Sequence, residues 1–390
     1  MSRKLLDHSP DLIRLRDEGK HLEIQGGYLI VSEVPYFDAQ QNVQRGKIIV
    51  QLNLSGDVTA APTNHAVNFS GSQPCNIDGS EIAALAINPN RVEILPGLFS
   101  DRTFSNKHPD RNYYDYHELI HRYVEIISNP VKAHDPSITE NVFPVIESTD
   151  DDDPHVYMDT SSSRAQIGMI NERTRGLRIA IIGVGGTGSY LLDFLTKTHV
   201  SEIHLYDADL FFQHNAFRAP GAAHIEELRA KYFKVAYHKM KYGNMHKRIY
   251  DHPYNITSEN VNELSPYDFV FVSADGGEYK KVVIDYLVSN NIRFIDLGMG
   301  IEIVNNKLVG QLRVTTGAPG SYEKALEHIP IDKAKPNVYD SNIQIAELNA
   351  LNACLAIIKW KKMLGCYSDA ADEYSSVFVL ETNNNICENN

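Results

Sequence analysis

Four apolar residues, Ile179 to Ile182, run directly into Gly183-Val184-Gly185-Gly186-Thr187-Gly188-Ser189, and no other stretch restricts the fold of this chain as tightly. Such a run ending abruptly in glycines reads as a strand buried on both faces. The glycines let the backbone turn tightly against a phosphate, and the helix that follows offers its N-terminal amides and dipole to that anion. Taken alone, the glycines also suit the ordinary packing of a strand-to-helix turn. Asp207 closes the second apolar run 19 positions after Gly188, where a ribose hydroxyl needs an acceptor. To this point ATP and NAD fit equally well.

The residues further along separate the two. A dehydrogenase needs one acid at the end of the second strand and has no use for phosphate-binding cations. Here Asp207-Ala208-Asp209 is followed by Asn215 and Arg218, then by Lys231 and Lys234, and Asp275 follows the apolar run Phe269 to Ala274. Together these groups suit a triphosphate and its metal. Taken singly, Asp207 and Asp209 are also ordinary loop or cap acids, Asn215 a turn residue and Lys234 a solvated helix lysine. Their joint order and spacing argue against that.

Over residues 164 to 365 the layout resembles the ubiquitin-activating adenylyltransferase family, which includes the ThiF-like and MoeB-like enzymes. That family's glycine motif falls on Gly183, Gly185, Gly186, Gly188 and Ser189, its D-x-D on Asp207 and Asp209, and its N-x-x-R on Asn215 and Arg218. Its motif lysine falls best on Lys234. The resemblance implies ribose binding by Asp207, phosphate binding by Asn215, Arg218 and Lys234, and magnesium binding by Asp275. It also implies an arginine ahead of the first strand that reaches a neighbouring protomer's site. Arg164 is the candidate for that role, with Arg173 and Arg175 competing. Attack of a carboxylate on an α-phosphate builds negative charge on phosphoryl oxygens, so fixed cations and a hard metal are the main catalytic need. Magnesium takes only one or two protein carboxylates.

The chain departs from the family in three places. The glutamine that often follows the motif arginine is Ala219, and the two CxxC pairs of many relatives are missing. The four cysteines, Cys75, Cys354, Cys366 and Cys387, have no ligand spacing, which argues against a structural zinc and a disulfide scaffold. The 16 histidines are scattered along the chain, and those near the motif, His204 and His214, read as packing or hydrogen-bonding residues. Thioester-forming relatives carry a cysteine in the crossover segment, here about 316 to 342, and this segment has none. Its serines, Ser321 and Ser341, are the candidates for an oxyester, although an unactivated hydroxyl is a poor nucleophile. Cys354 reads as a core residue of an apolar helix.

The chain is long enough for two domains with real cores, and 43% hydrophobic content is that of a globular protein. A net charge of −13 argues against a general nucleic-acid binder. No signal peptide and no membrane span are readable, so the expected location is the cytoplasm. Asp150 to Asp153 followed by Pro154, with Ser161 to Ser163 beyond, marks a solvated linker at 148–163 between an N-terminal domain, 1–147, and the adenylyltransferase-like domain, 164–390.

The expected fold class is α/β, a doubly wound Rossmann-like sheet with a smaller N-terminal α+β domain. In the larger part strands are expected near 177–183, 202–207, 268–273 and 292–297, then a hairpin over 301–316 turning at Asn305-Asn306, then a helix over 343–364. The N-terminal part reads as a short helix at 11–18, strands at 21–35 and 47–54, a loop-rich stretch at 71–79 and a helix at 116–128. This order loosely resembles a ubiquitin-conjugating domain, but no His-Pro-Asn motif precedes a cysteine. Cys75 reads as structural before it reads as an acyl acceptor.

The expected activity is ATP-dependent, magnesium-assisted adenylation of the C-terminal carboxylate of a ubiquitin-like or sulfur-carrier protein, with the acyl group then passing to serine, cysteine or another acceptor. Relatives with this layout usually form homodimers. A catalytically inactive nucleotide-binding scaffold and an NAD-dependent oxidoreductase are the alternatives. Nicotinamide binding without ATP binding would favour the last.

Overall fold

The computed structural model describes residues 2–148, 152–274, 277–331 and 343–389. The chain divides into two compact units, Met1–Ile146 and Glu147–Asn390. Asp275 and Ser341, and with them Asp150 and Asp151 of the acidic run, lie outside the described residues.

In the first unit two short helices, α1 (Ser2–His8) and α2 (Pro10–Asp17), precede β1 (His21–Gln25), β2 (Tyr28–Phe37), β3 (Val43–Gln51), β4 (Leu54–Ser55), β5 (Val58–Thr59), β6 (Ala66–Ser70), β7 (Ala86–Leu95), β8 (Leu98–Ser105) and α3 (Tyr116–His134). Six of these strands form one sheet in the order β1-β2-β3-β6-β8-β7, paired antiparallel throughout. Its core joins Leu12 and Leu15 of α2, Leu29 and Val31 of β2, and Tyr116, Leu119, Ile120 and Tyr123 of α3. Asp115 caps α3 by accepting the Glu118 amide. The helix runs past Pro130, where the sequence reads its end, because Val131 is buried on the far side and tertiary packing offsets the lost hydrogen bond. Cys75 is buried, and desolvation pushes its thiol pKa up, which suits a structural residue.

The second unit contains α4 (Thr160–Arg164), α5 (Gly168–Asn171), β9 (Arg178–Ile182), α6 (Gly186–Leu195), β10 (Glu202–Tyr206), α7 (Gln213–Ala216), α8 (Ile225–Ala230), α9 (Lys234–Tyr242), β11 (Ile249–His252), β12 (Phe269–Val272), α10 (Glu278–Ser289), β13 (Arg293–Val304), β14 (Lys307–Gly317), α11 (Tyr322–Glu327), α12 (Ala346–Met363), β15 (Glu373–Val379) and β16 (Asn384–Asn389). They build an eight-stranded sheet in the order β11-β10-β9-β12-β13-β14-β15-β16. The strands from β11 to β13 are parallel and the remainder antiparallel. Side chains on β9 alternate between two cores, as the period of two requires. Ile179 and Ile181 pack with Leu191 of α6 and Trp360 of α12, while Ala180 and Ile182 pack with Val283 and Leu287 of α10. The hairpin turns at Asn305 and Asn306, both at positive φ. The fold is therefore the mixed α/β sheet that the strand pattern implies, extended by β11, β15 and β16, which the pattern missed. Among the described residues no helix is long and apolar enough to cross a membrane.

Within the stretch read as a solvated linker, residues 154–156 are instead held by backbone hydrogen bonds to residues 245–247. His155 bridges His246, the Val156 amide donates to the Met245 carbonyl, the Lys247 amide donates to the Pro154 carbonyl, and His155 is only 5% exposed. Charge composition suggested solvent, and a few backbone hydrogen bonds to residues 245–247, just ahead of β11, override it for residues 154–156.

Level with the end of β12, Asp296 of β13 is fully buried between Lys280 Nζ at 2.5 Å and Arg313 Nη2 at 2.6 Å. Removing the carboxylate leaves two buried cations uncompensated, which typically costs about 3–5 kcal/mol. Asp296→Ala is therefore expected to lower unfolding free energy by roughly that amount. Denaturant titration followed by Trp360, the only tryptophan, reads the loss, and a change under about 1 kcal/mol would contradict the ion cluster's structural weight.

Candidate functional site

From β9 the chain winds outward through β10 and β11 and then returns to β12 on the other side, so the strand order reverses between β9 and β12. Ligands of such sheets bind at the carboxyl ends of the strands at that reversal. The glycine turn leaves β9 there, and Ser273 and Ala274 leave β12 beside it.

Packing holds the turn shut on one side and leaves it open on the other. Gly183 sits at φ 87°, and a Cβ on Gly188 would lie 1.9 Å from the Gly183 carbonyl oxygen. Ser273 Oγ donates to that same carbonyl at 2.6 Å. Above Gly185 nothing among the described residues lies within 4 Å of where a Cβ would point, which is the room a ligand approaching the backbone needs. The first amides of α6 lack intrahelical partners by construction and carry the positive end of the helix dipole.

Asp207 fixes the turn in place. Its Oδ2 accepts the Val184 amide and its Oδ1 the Asp209 amide, both at 2.9 Å, and the residue is 8% exposed. Each oxygen keeps further lone-pair capacity. The Asp209 carboxylate, by contrast, is 72% exposed. Lys234, at the start of α9, is buried and places Nζ 2.6 Å from Asp209 Oδ2 and 3.5 Å from Asp207 Oδ2. Burial next to that ammonium lowers His238 to about 3, keeping it neutral. Tyr279 at the start of α10 is half-buried, and desolvation together with the charges of Asp207 and Asp209 raises its phenol above the usual range.

The remaining expected residues divide into those brought to the turn and those held elsewhere. Asn215 is buried and caps α7, its Oδ1 accepting the Phe212 amide at 2.8 Å. The Arg218 backbone is drawn to the turn by Asn349 of α12. The Asn349 Nδ2 donates to the Arg218 carbonyl at 3.5 Å, its Oδ1 accepts from Thr187 Oγ1 at 2.9 Å, and its side chain fills the space over Gly186. Arg164 ends α4 and is exposed. Of its competitors, Arg173 donates to the Gly365 carbonyl and Arg175 pairs with Glu172. Ser321 is buried at the start of α11, its hydroxyl donating to the Ala318 carbonyl at 3.3 Å rather than to a base. Asn349 and Ser273 are the site residues that motif reading missed, and only their contacts reveal them.

Residues 164–385 match the model of the ThiF family, and residues 10–160 match a domain of unknown function (DUF6791). Among curated proteins, ubiquitin-like modifier-activating enzyme 5 of Drosophila virilis is 26% identical over 153 residues, 35% of this chain and 37% of the relative. Its Drosophila persimilis counterpart is 34% identical over 90 residues, 22% of each. The chain thus covers well under two thirds of the length of these relatives. Among solved structures, E. coli MccB with ATP is 18% identical with a TM-score of 0.46, over 59% of this chain and 69% of that one. A selenomethionine PaaA structure is 15% identical with a TM-score of 0.43, over 57% and 75%.

Two glycine substitutions separate packing from ligand room. Gly188→Ala forces a methyl against the Gly183 carbonyl and is expected to lower stability by about 1–3 kcal/mol. Gly185→Ala is expected to leave the melting temperature unchanged while weakening binding of a fluorescent ATP analogue. Equal analogue affinity in Gly185→Ala and the native chain would place the nucleotide elsewhere.

Proposed function

The chain belongs to the ThiF family, its model covering 164–385, and from that membership and the geometry of the glycine turn we propose that the protein adenylates the C-terminal carboxylate of a ubiquitin-like protein. The observation that carries this reading is the convergence of an open glycine turn, two aspartates and a buried lysine at the reversal of strand order. A carboxylate oxygen of the carrier bonds to the α-phosphorus of ATP while the bond from that phosphorus to the bridging oxygen breaks. The pyrophosphate leaves with the electron pair, and no proton need move.

Each residue then has a defined task. The amides of the glycine turn and the start of α6 hold phosphate oxygens. Asp207, already locked to Val184, and the exposed Asp209 offer acceptors to the ribose. Lys234 and Arg218 supply positive charge to the polyphosphate, with Asn215 holding the short helix that precedes Arg218. Nucleotide fits this set because, among the described residues, the space over Gly185 is open while that over Gly186 and Gly188 is filled. Magnesium, carried by Asp275, would neutralise phosphate charge when bound. Arg164 of a second copy, in a homodimer, would complete the cation set. The similarity to the Drosophila ubiquitin-like modifier-activating enzymes favours a ubiquitin-like modifier as carrier over a sulfur carrier.

The test is exchange of labelled pyrophosphate into ATP with magnesium and candidate ubiquitin-like proteins. Exchange is expected to need the carrier's free C-terminus and to fall by at least about 100-fold in Arg218→Ala and in Asp275→Ala. ATP binding without exchange for any carrier would reduce the reading to a nucleotide-binding scaffold.

A further inference from the structure

Away from the glycine turn, at the opposite end of α6, the second unit brings together Asp153, His155 and His199. One ligand atom of each lies within 4.8 Å of those of the other two. His155 and Asp153 come from the stretch bonded to residues 245–247, just ahead of β11, and His199 follows the end of α6. The helix between this cluster and the turn is ten residues, about 15 Å, long.

Hydrogen bonding fixes which imidazole nitrogens are available. His155 Nε2 lies 3.1 Å from the Thr196 carbonyl, which only accepts, so Nε2 carries the proton. His199 Nε2 faces Asp159 Oδ2 at 3.5 Å, again an acceptor. Both Nδ1 atoms are buried and have no hydrogen-bond partner among the described residues, and His155 as a whole is 95% buried. His155 Nδ1 stands 3.4 Å from Asp153 Oδ1. A charge-assisted hydrogen bond would close to about 2.7–2.9 Å. Tetrahedral zinc, with bonds of about 2.0–2.1 Å, holds its donors roughly 3.4 Å apart.

The surroundings match those of metal ligands. His155 hands its other ring N–H to a backbone carbonyl, which fixes its tautomer, and His199 turns its Nε2 toward the Asp159 carboxylate. Asp153 is itself oriented, Oδ1 by the His155 amide at 3.0 Å and Oδ2 by Ser148 Oγ at 2.5 Å. The neighbouring cation, Lys247, donates its ammonium to the backbone carbonyls of Ser148 and Asp153. The adjacent His246 is already engaged, with Nε2 on the Val200 carbonyl and Nδ1 accepting the Arg248 amide, so it is not a fourth ligand.

We propose that Asp153, His155 and His199 form a binding site for a zinc-class divalent cation, with water in the fourth position and Asp159 as the positioning residue behind His199. The ion clamps residues 153–155 to the loop between α6 and β10 and so fixes the entry of the chain into α4. Two imidazoles and one carboxylate suit zinc better than magnesium or calcium, which prefer oxygen. Neither the histidine count nor the missing CxxC pairs disclose it, because the ligands meet only through the fold.

The experiment is zinc titration of the full chain, stripped with chelator, in competition with a chromophoric chelator, together with cobalt substitution. The native chain is expected to bind one tight equivalent and to give the intense visible absorption of tetrahedral cobalt. His199→Ala and Asp153→Asn are expected to weaken zinc by more than about 100-fold, and Asp159→Asn by about 10–100-fold. Circular dichroism of the metal-free variants confirms their fold, and His199→Gln replaces His199→Ala if the latter does not fold. Unchanged zinc affinity in the folded variants means an adventitious ion only and overturns the site, as does a native chain with no tight zinc or no tetrahedral cobalt spectrum.

Discussion

The glycine turn stands where it does because the Asp207 carboxylate holds both sides of it. One oxygen takes the amide of Val184 inside the turn and the other the amide of Asp209 beyond β10, so the ends of two adjacent parallel strands are tied by one buried group. A buried, charged acceptor of two backbone amides is stronger than a neutral hydrogen bond and leaves no donor unmet. Ser273 ties the third strand end, β12, to the Gly183 carbonyl from the other side. The open face over Gly185 and the positive end of α6 follow from that clamp rather than from the glycines alone.

The same economy governs the charges around it. Lys234 is buried against two aspartates, one locked and one exposed, so its ammonium is desolvated without being stranded. On β13, Asp296 stands buried between Lys280 and Arg313, level with the end of β12, and gives the strands beside the site a rigid polar anchor. Each of these buried or half-buried cations is thus matched by an aspartate carboxylate.

What could be read from the sequence was what is local in it. The buried strand, the turn and the aspartates after β10 sit in short continuous runs, and the parallel core came through with them. The hairpin was legible because Asn305 and Asn306 tolerate positive φ. The first unit was legible only in part. Its sheet pairs β3 with β6 and β6 with β8 across long connections, and a five-residue strand such as β6, joined that way, carries little periodic signal. Asn349 reads as one polar residue on an apolar helix until α12 is laid against α6. The acidic stretch misled for the same reason: composition reports an average, and the backbone bonds of residues 154–156 to residues 245–247 are particular.

The claim on which the account rests is that the clamped turn receives ATP rather than a nicotinamide dinucleotide. Calorimetric titration of the full chain with ATP and, separately, with NAD is the most direct measurement. Saturable ATP binding at one site per chain is expected, weakened when Asp207→Asn loosens the clamp, with no heat from NAD. Saturable NAD binding with none for ATP would contradict it.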